Sequence, residues 1–185
     1  MHRTLTSLLL GCLLLGGASV ASADWRGDKT IRLHGRDGKV VAVGSVRFTP
    51  AGDRTAVRVT MDIHALKDFF LSMREFKCLE GGTEVLCHVP YPYKNPGTIT
   101  ATDLGWLEHQ LLFFYKQPSD FGAKLWNGVY YRLAATDKGL VGTPQAIDLN
   151  AIGAPPARTD VPPYGPAERN DVPAGARWFD RLTID

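Results

Sequence analysis

From Val57 to His64 apolar and polar residues alternate without a break. Val57, Val59, Met61 and Ile63 point one way, and Arg58, Thr60, Asp62 and His64 the other. A period of two is the signature of a strand with one buried and one wet face. The run therefore commits this part of the chain to an antiparallel sheet. Its neighbours read the same way. Lys29 to His34 alternates, Gly35-Arg36-Asp37-Gly38 is a turn signal, and Lys39 to Thr49 is a Val-rich strand. The alternation of that strand slips near Gly44, which predicts a bulge or bend. Together these segments predict a meander.

Cys78 and Cys87 fix the next hairpin. They flank Glu80-Gly81-Gly82-Thr83, and Gly82-Thr83 suits a two-residue turn with glycine first. Counting outward, Glu80 faces Val85, Leu79 faces Leu86 and Cys78 faces Cys87. The cysteines then occupy a non-hydrogen-bonded pair, where Cα atoms lie about 4.5 Å apart, within disulfide range. Two thiols in an exported chain pair in this way.

Export is read from the start of the chain. Met1-His2-Arg3 is basic, Leu5 to Leu15 is apolar, and Ala21-Ser22-Ala23 fits a small-residue cleavage site, so residues 1–23 read as a signal peptide. The apolar run is shorter than the roughly 20 residues a spanning helix needs. Leu9-Leu10-Gly11-Cys12 also resembles a lipoprotein box, with Cys12 as the alternative lipidation site. The expected location is periplasmic or secreted.

The rest of the chain predicts about eight strands with an inserted helical segment around residues 103–126. Leu104, Leu107, Leu111, Phe114 and Tyr115 lie at helical spacing, and Pro118 stops the run. Ser119 to Trp126 reads as a second short helix. Val129 to Ala135 and Leu140 to Leu149 form a hairpin. Residues 154–176 are Pro-rich and read as an extended strap or mobile linker. Residues 177–185, with Trp178, Phe179, Leu182 and Ile184, read as a last strand docking on the body. The expected fold is mainly β, barrel-like or sandwich, with α+β as the alternative.

The full chain has 21 basic and 19 acidic residues and a formal net charge of +2. That balance argues against a nucleic-acid or anionic-membrane binder, which would show a basic face. Stable membrane insertion is not expected after cleavage of the leader. No phosphate-cradling glycine loop, dinucleotide fingerprint, G-x-S-x-G or H-x-x-x-H occurs, so neither a cofactor nor a metal is expected. Asp62 and His64, two apart on one strand face, are the candidate catalytic pair, because a carboxylate orients an imidazole base. Trp106, Trp126 and Tyr130 are the candidate ligand-binding residues within an aromatic-rich stretch from Tyr91 to Tyr131.

Phe76, Val89-Pro90-Tyr91-Pro92-Tyr93, Trp106-Leu107-Glu108, Lys124-Leu125-Trp126-Asn127-Gly128 and Gly142-Thr143-Pro144-Gln145 together resemble an uncharacterised group of exported proteins of Gram-negative bacteria. The resemblance covers about residues 69–153 and implies a periplasmic location but no activity. The expected function is a non-enzymatic periplasmic accessory or binding module, for a small apolar or sugar-like ligand or for a protein partner. The alternatives are a hydrolase-type enzyme built on Asp62 and His64, and an envelope protein-interaction module using the Pro-rich tail.

Overall fold

A computed structural model describes residues 25–185 of the chain. The expected leader, its cleavage site after Ala23 and Cys12 lie outside the described residues. The body is one antiparallel, open sheet of twelve strands. Strands β1 (Gly27–Gly35), β2 (Val40–Ala51) and β3 (Arg54–Met61) form the expected meander. Opposite Ile31 and Arg32 the register of β2 jumps from Gly44 to Ala42, so the bulge falls at the expected slip. Glycine is required beside it: a Cβ at Gly44 would meet the Thr60 carbonyl oxygen at 2.5 Å.

Strands β4 (Lys67–Leu71), β5 (Arg74–Glu80) and β6 (Val85–Val89) follow, then a two-residue strand β7 (Thr98–Ile99) beside β3. A single helical turn, α1 (Gly105–Glu108), leads to β8 (Leu112–Lys116). Strands β9 (Gly128–Thr136), β10 (Gly139–Ile147), β11 (Asn170–Asp171) and β12 (Phe179–Ile184) complete the sheet. Along the sheet the order is β4-β5-β6-β8-β9-β10-β12-β1-β2-β3-β7, with β11 paired to β10. The last strand thus sits between the first strand and β10, with Leu33 opposite Leu182 and Leu140 opposite Ile184. It joins the N-terminal meander to the rest of the sheet.

The expected helical insert over 103–126 is corrected to one turn. Residues 112–116 are a strand, and 117–127 form a loop. The cause is burial on both faces. Phe113 packs into a core with Ile31, Leu33, Leu107, Leu111, Tyr131 and Leu182. Phe114 packs into a second core with Cys78, Cys87, Leu112, Tyr130, Ile147 and Tyr164. A strand covered on both faces loses its period-two pattern and reads as a continuous apolar run. Each fully buried phenylalanine contributes on the order of 2–3 kcal/mol. The expected count of about eight strands rises to twelve because β4, β7 and β11 are short and the apolar residues of β8 fall at helical spacing in the sequence.

The two cores have different lids. Leu104 just before α1, Leu107 within it and Leu111 after it plug the first. Gln110 links the two flanks of that core: its Oε1 accepts the Val59 N–H at 3.3 Å, and its carbonyl lies 3.2 Å from Nε2 of His88. The second core is covered by Leu149, Ile152 and Tyr164. Tyr164 is buried within the Pro-rich strap, and Asn170 and Asp171 pair with Ala146 and Gln145. The strap is therefore docked on the body, not a free linker, because one aromatic side chain and a two-residue strand anchor it.

The β5–β6 hairpin has the predicted register, with Cys78 opposite Cys87 and the sulfurs bonded. The closed loop is short, so the bond stabilises by about 2–3 kcal/mol. Cys78→Ser with Cys87→Ser is expected to lower the urea midpoint accordingly. Dithiothreitol should move the wild type toward the variant and leave the variant unchanged. A wild type indifferent to both treatments would show that the crosslink carries no stability.

Candidate functional site

The candidate catalytic pair lies in an exposed turn after β3. Strand β3 ends at Met61, and Asp62 to His64 turn away from it, all exposed. The Asp62 carboxylate accepts the backbone N–H of His64 at 2.9 Å, which is turn chemistry and not orientation of an imidazole. The two residues therefore do not share the polar face of a strand, and neither lines the cavities described below.

Of the three aromatic candidates, two come together around His109 and Trp126 stands apart. Trp106 is buried at 4% exposure, beside Tyr91 and His109 with ring centroids 6.1 and 5.8 Å away. Tyr130 is buried in the second core. Trp126 is 62% exposed, at the surface of the 117–127 loop. Trp106 and Tyr130 both pack against His109, in a solid aromatic cluster that also contains Tyr91 and Tyr164. No cavity spans Trp106 and Trp126 among those described.

A polar cluster lies beside this aromatic core. Glu108 closes α1 and is buried. Its Oε1 accepts the Leu133 N–H at 2.7 Å, and its Oε2 accepts the Tyr130 hydroxyl. Burial pushes the carboxyl above the usual range, and the Tyr130 and Leu133 hydrogen bonds pull it partly back. The Arg169 guanidinium stands over the Tyr130 ring, 4.8 Å from its centroid. A cavity of about 460 Å³ opens here, bordered by Asp103, Arg132, Pro162, Tyr164 and Arg169. Both Glu108 oxygens are already engaged, so the carboxylate works as a bracket between α1 and the free flank of β9. Beyond Tyr130 that flank has no β8 partner, since the β8 pairing ends at Leu112 opposite Tyr130.

Next to it, His109 has both ring nitrogens engaged. Nδ1 donates to the Gly105 carbonyl at 2.7 Å, and Nε2 accepts the Tyr164 N–H at 3.1 Å. Tyr164 also stacks on the imidazole at 5.5 Å and 17°, and its hydroxyl donates to the Asp148 carbonyl at 3.0 Å. Burial pulls the imidazole down to about 4, so the ring is neutral near neutral pH. The histidine fastens the strap.

The largest cavity described is elsewhere and is mostly apolar, about 650 Å³. Its origin is a split in the sheet. Strand β5 pairs with β6 only from Cys78 to Glu80, but with β4 from Arg74 to Cys78. Strand β6 meanwhile stays with β8 out to Val89. Pro90 and Pro92 follow, and proline cannot extend the ladder. Side chains line the gap instead: Phe76, Val89, Tyr93, Leu125, Leu149 and Ile152. Tyr93 is held by its hydroxyl, which donates to the Ile152 carbonyl at 3.0 Å. Phe76 is held edge-on against Phe114 at 5.1 Å. Ser72, Arg74, Glu75 and Lys77 supply the polar part of the lining.

Sequence reasoning missed this lining. The one available signal was Pro90-Tyr91-Pro92-Tyr93 directly after a strand, which ends a ladder and leaves aromatics without a strand partner. Among the described residues no group of three His, Cys, Asp or Glu side chains comes together to hold a metal ion. No helix among them is long and apolar enough to cross a membrane. No family model, curated protein or solved structure matches this chain.

Proposed function

We propose that the protein is a non-enzymatic binding module of the cell envelope that holds a small apolar ligand in the cavity between β5 and β6. The observation that carries this reading is the apolar cavity of about 650 Å³ walled by Phe76, Val89, Tyr93, Leu125, Leu149 and Ile152. That volume falls within the range of small-molecule sites, which are concave, mostly apolar and bear a few polar groups for orientation. The disulfide supports the reading, because it lies where the split begins and fixes β5 against β6 at that point. The apolar first segment of the sequence supports export, the condition under which that bond persists.

The test uses N-phenyl-1-naphthylamine, a probe that fluoresces on entering an apolar site. Its emission is expected to rise and saturate with the purified protein. Ala123→Phe places a ring in the cavity lining, and is expected to weaken the probe by at least about tenfold without lowering the melting temperature. A probe that fails to saturate, or that binds the filled variant equally well, removes this function.

A further inference from the structure

Seven large apolar side chains are exposed among the described residues, and four of them fall on two short segments. Phe70 and Met73 belong to the β4–β5 hairpin; Phe121 and Trp126 belong to the 117–127 loop. The two segments touch, since the Ala123 N–H donates to Ser72 Oγ at 2.9 Å. They also border the apolar cavity, which Ser72, Arg74, Ala123 and Leu125 help to line. Every one of the four exposed residues is thus one or two positions along the chain from a lining residue. Met73 sits at φ 65° and is 88% exposed. A large apolar side chain in a left-handed turn, where glycine would relieve the backbone, contributes nothing to the packing of this fold.

We propose that Phe70, Met73, Phe121 and Trp126 dock the mouth of the cavity on a lipid surface, so that the cavity takes one hydrocarbon chain of a membrane lipid. This rests on the ligand-binding reading above and names the source and class of the ligand. The apolar residues project from a hairpin and a loop, the arrangement that inserts into the boundary between headgroups and acyl chains. Their chain neighbours Ser72, Arg74, Ala123 and Leu125 line a chain-sized apolar space, and a protein partner would not require that proximity. Arg74 lines the mouth and has no carboxylate partner among the described residues, whereas Lys77 is paired with Asp68 and Glu75. Arg74 is therefore the group that meets a phosphate or carboxylate headgroup. The near balance of charge in the whole chain makes apolar insertion the main driving force, with little dependence on salt.

Flotation with phosphatidylcholine vesicles, with and without phosphatidylglycerol, tests this. The wild type is expected to float with both, with a modest preference for the anionic vesicles and at most a few-fold loss at high salt. A Phe70→Ser, Met73→Ser, Phe121→Ser variant should lose at least about tenfold in partitioning while keeping its melting temperature, since these side chains are exposed. Arg74→Gln should remove only the preference for phosphatidylglycerol. A wild type that stays off both vesicles overturns the proposal, as does a triple variant that floats like the wild type. Self-association or capture of extended peptides along the outer edge of β4, without flotation, also overturns it. Failure of the two readings is distinguishable: naphthylamine binding without flotation removes the membrane and keeps the cavity, and flotation without probe binding removes the cavity.

Discussion

Glu108→Ala is expected to destabilise the protein by about 2–5 kcal/mol, because it strips the partner from two buried donors at once. The Leu133 N–H and the Tyr130 hydroxyl both end on this carboxylate. Each donor left unpaired in the interior costs about 1–3 kcal/mol. The carboxylate also ties the single turn of α1 to β9, and α1 carries Leu107 into the first core. Glu108→Gln separates a bracket from an acid. The glutamine oxygen still accepts from Leu133, and its amide donates to the Tyr130 oxygen once that hydroxyl turns. Urea unfolding should therefore show Gln recovering most of what Ala loses. An Ala variant within about 0.5 kcal/mol of wild type, the scatter of ordinary surface substitutions, would overturn the bracket.

The same residue shows where the sequence was silent. Glu108, His109 and Gln110 interrupt an otherwise apolar stretch, and on a helix they form a wet face. In the fold Glu108 and His109 are buried and fully bonded, while Gln110 spans the gap between β3 and β6. Nothing local distinguishes the two situations, because the partners Tyr130, Leu133 and Tyr164 are remote in the chain. The Cys78–Cys87 register was legible because a tight turn fixes parity, and parity fixes which residues face each other. The bulge at Gly44 was legible for a similar reason, as a break in alternation. Strand β8 was not, since Leu112 and Phe114 enter one core while Phe113 enters the other. The apolar cavity was invisible to pattern reading because it arises where β5 before Cys78 and β6 after Cys87 no longer pair. The fastening of the strap by Tyr164 was hidden by the prolines around it, which mark extended chain without saying whether it is held.

Acidification from pH 6.5 to 4 is expected to cost about 3 kcal/mol through His109 alone. Its folded value is pulled down to about 4 by burial, against 6.5 for an ordinary histidine, and that gap corresponds to about 3 kcal/mol. Where the folded value lies below the unfolded one, the unfolded chain takes up the proton first. The stability is therefore complete above pH 6.5 and is lost as pH falls toward 4. The geometry gives the same sign: a proton on Nε2 turns the acceptor of the Tyr164 N–H into a second donor. The groups facing the ring are Tyr91, Trp106, Tyr130 and Tyr164, with Arg169 nearby, whose charge opposes protonation further. Glu84 and Glu108 act in the opposite direction. Burial holds both carboxyls above 4.5, so they lose stability as pH rises through their folded values and regain it on acidification. His34 and His88 are lowered mainly by burial and act in the same direction as His109. A difference measurement isolates His109. His109→Gln keeps an acceptor for Tyr164 and does not titrate, so it should be less stable than wild type at pH 7 but follow a flatter profile toward pH 4. Urea unfolding at a series of pH values should show the wild type losing about 3 kcal/mol of its advantage over the variant across that window. Parallel profiles would mean that the imidazole is not buried against the strap. Protease cleavage within residues 154–169 should rise in the wild type over the same interval, because releasing Tyr164 frees the segment that covers the second core.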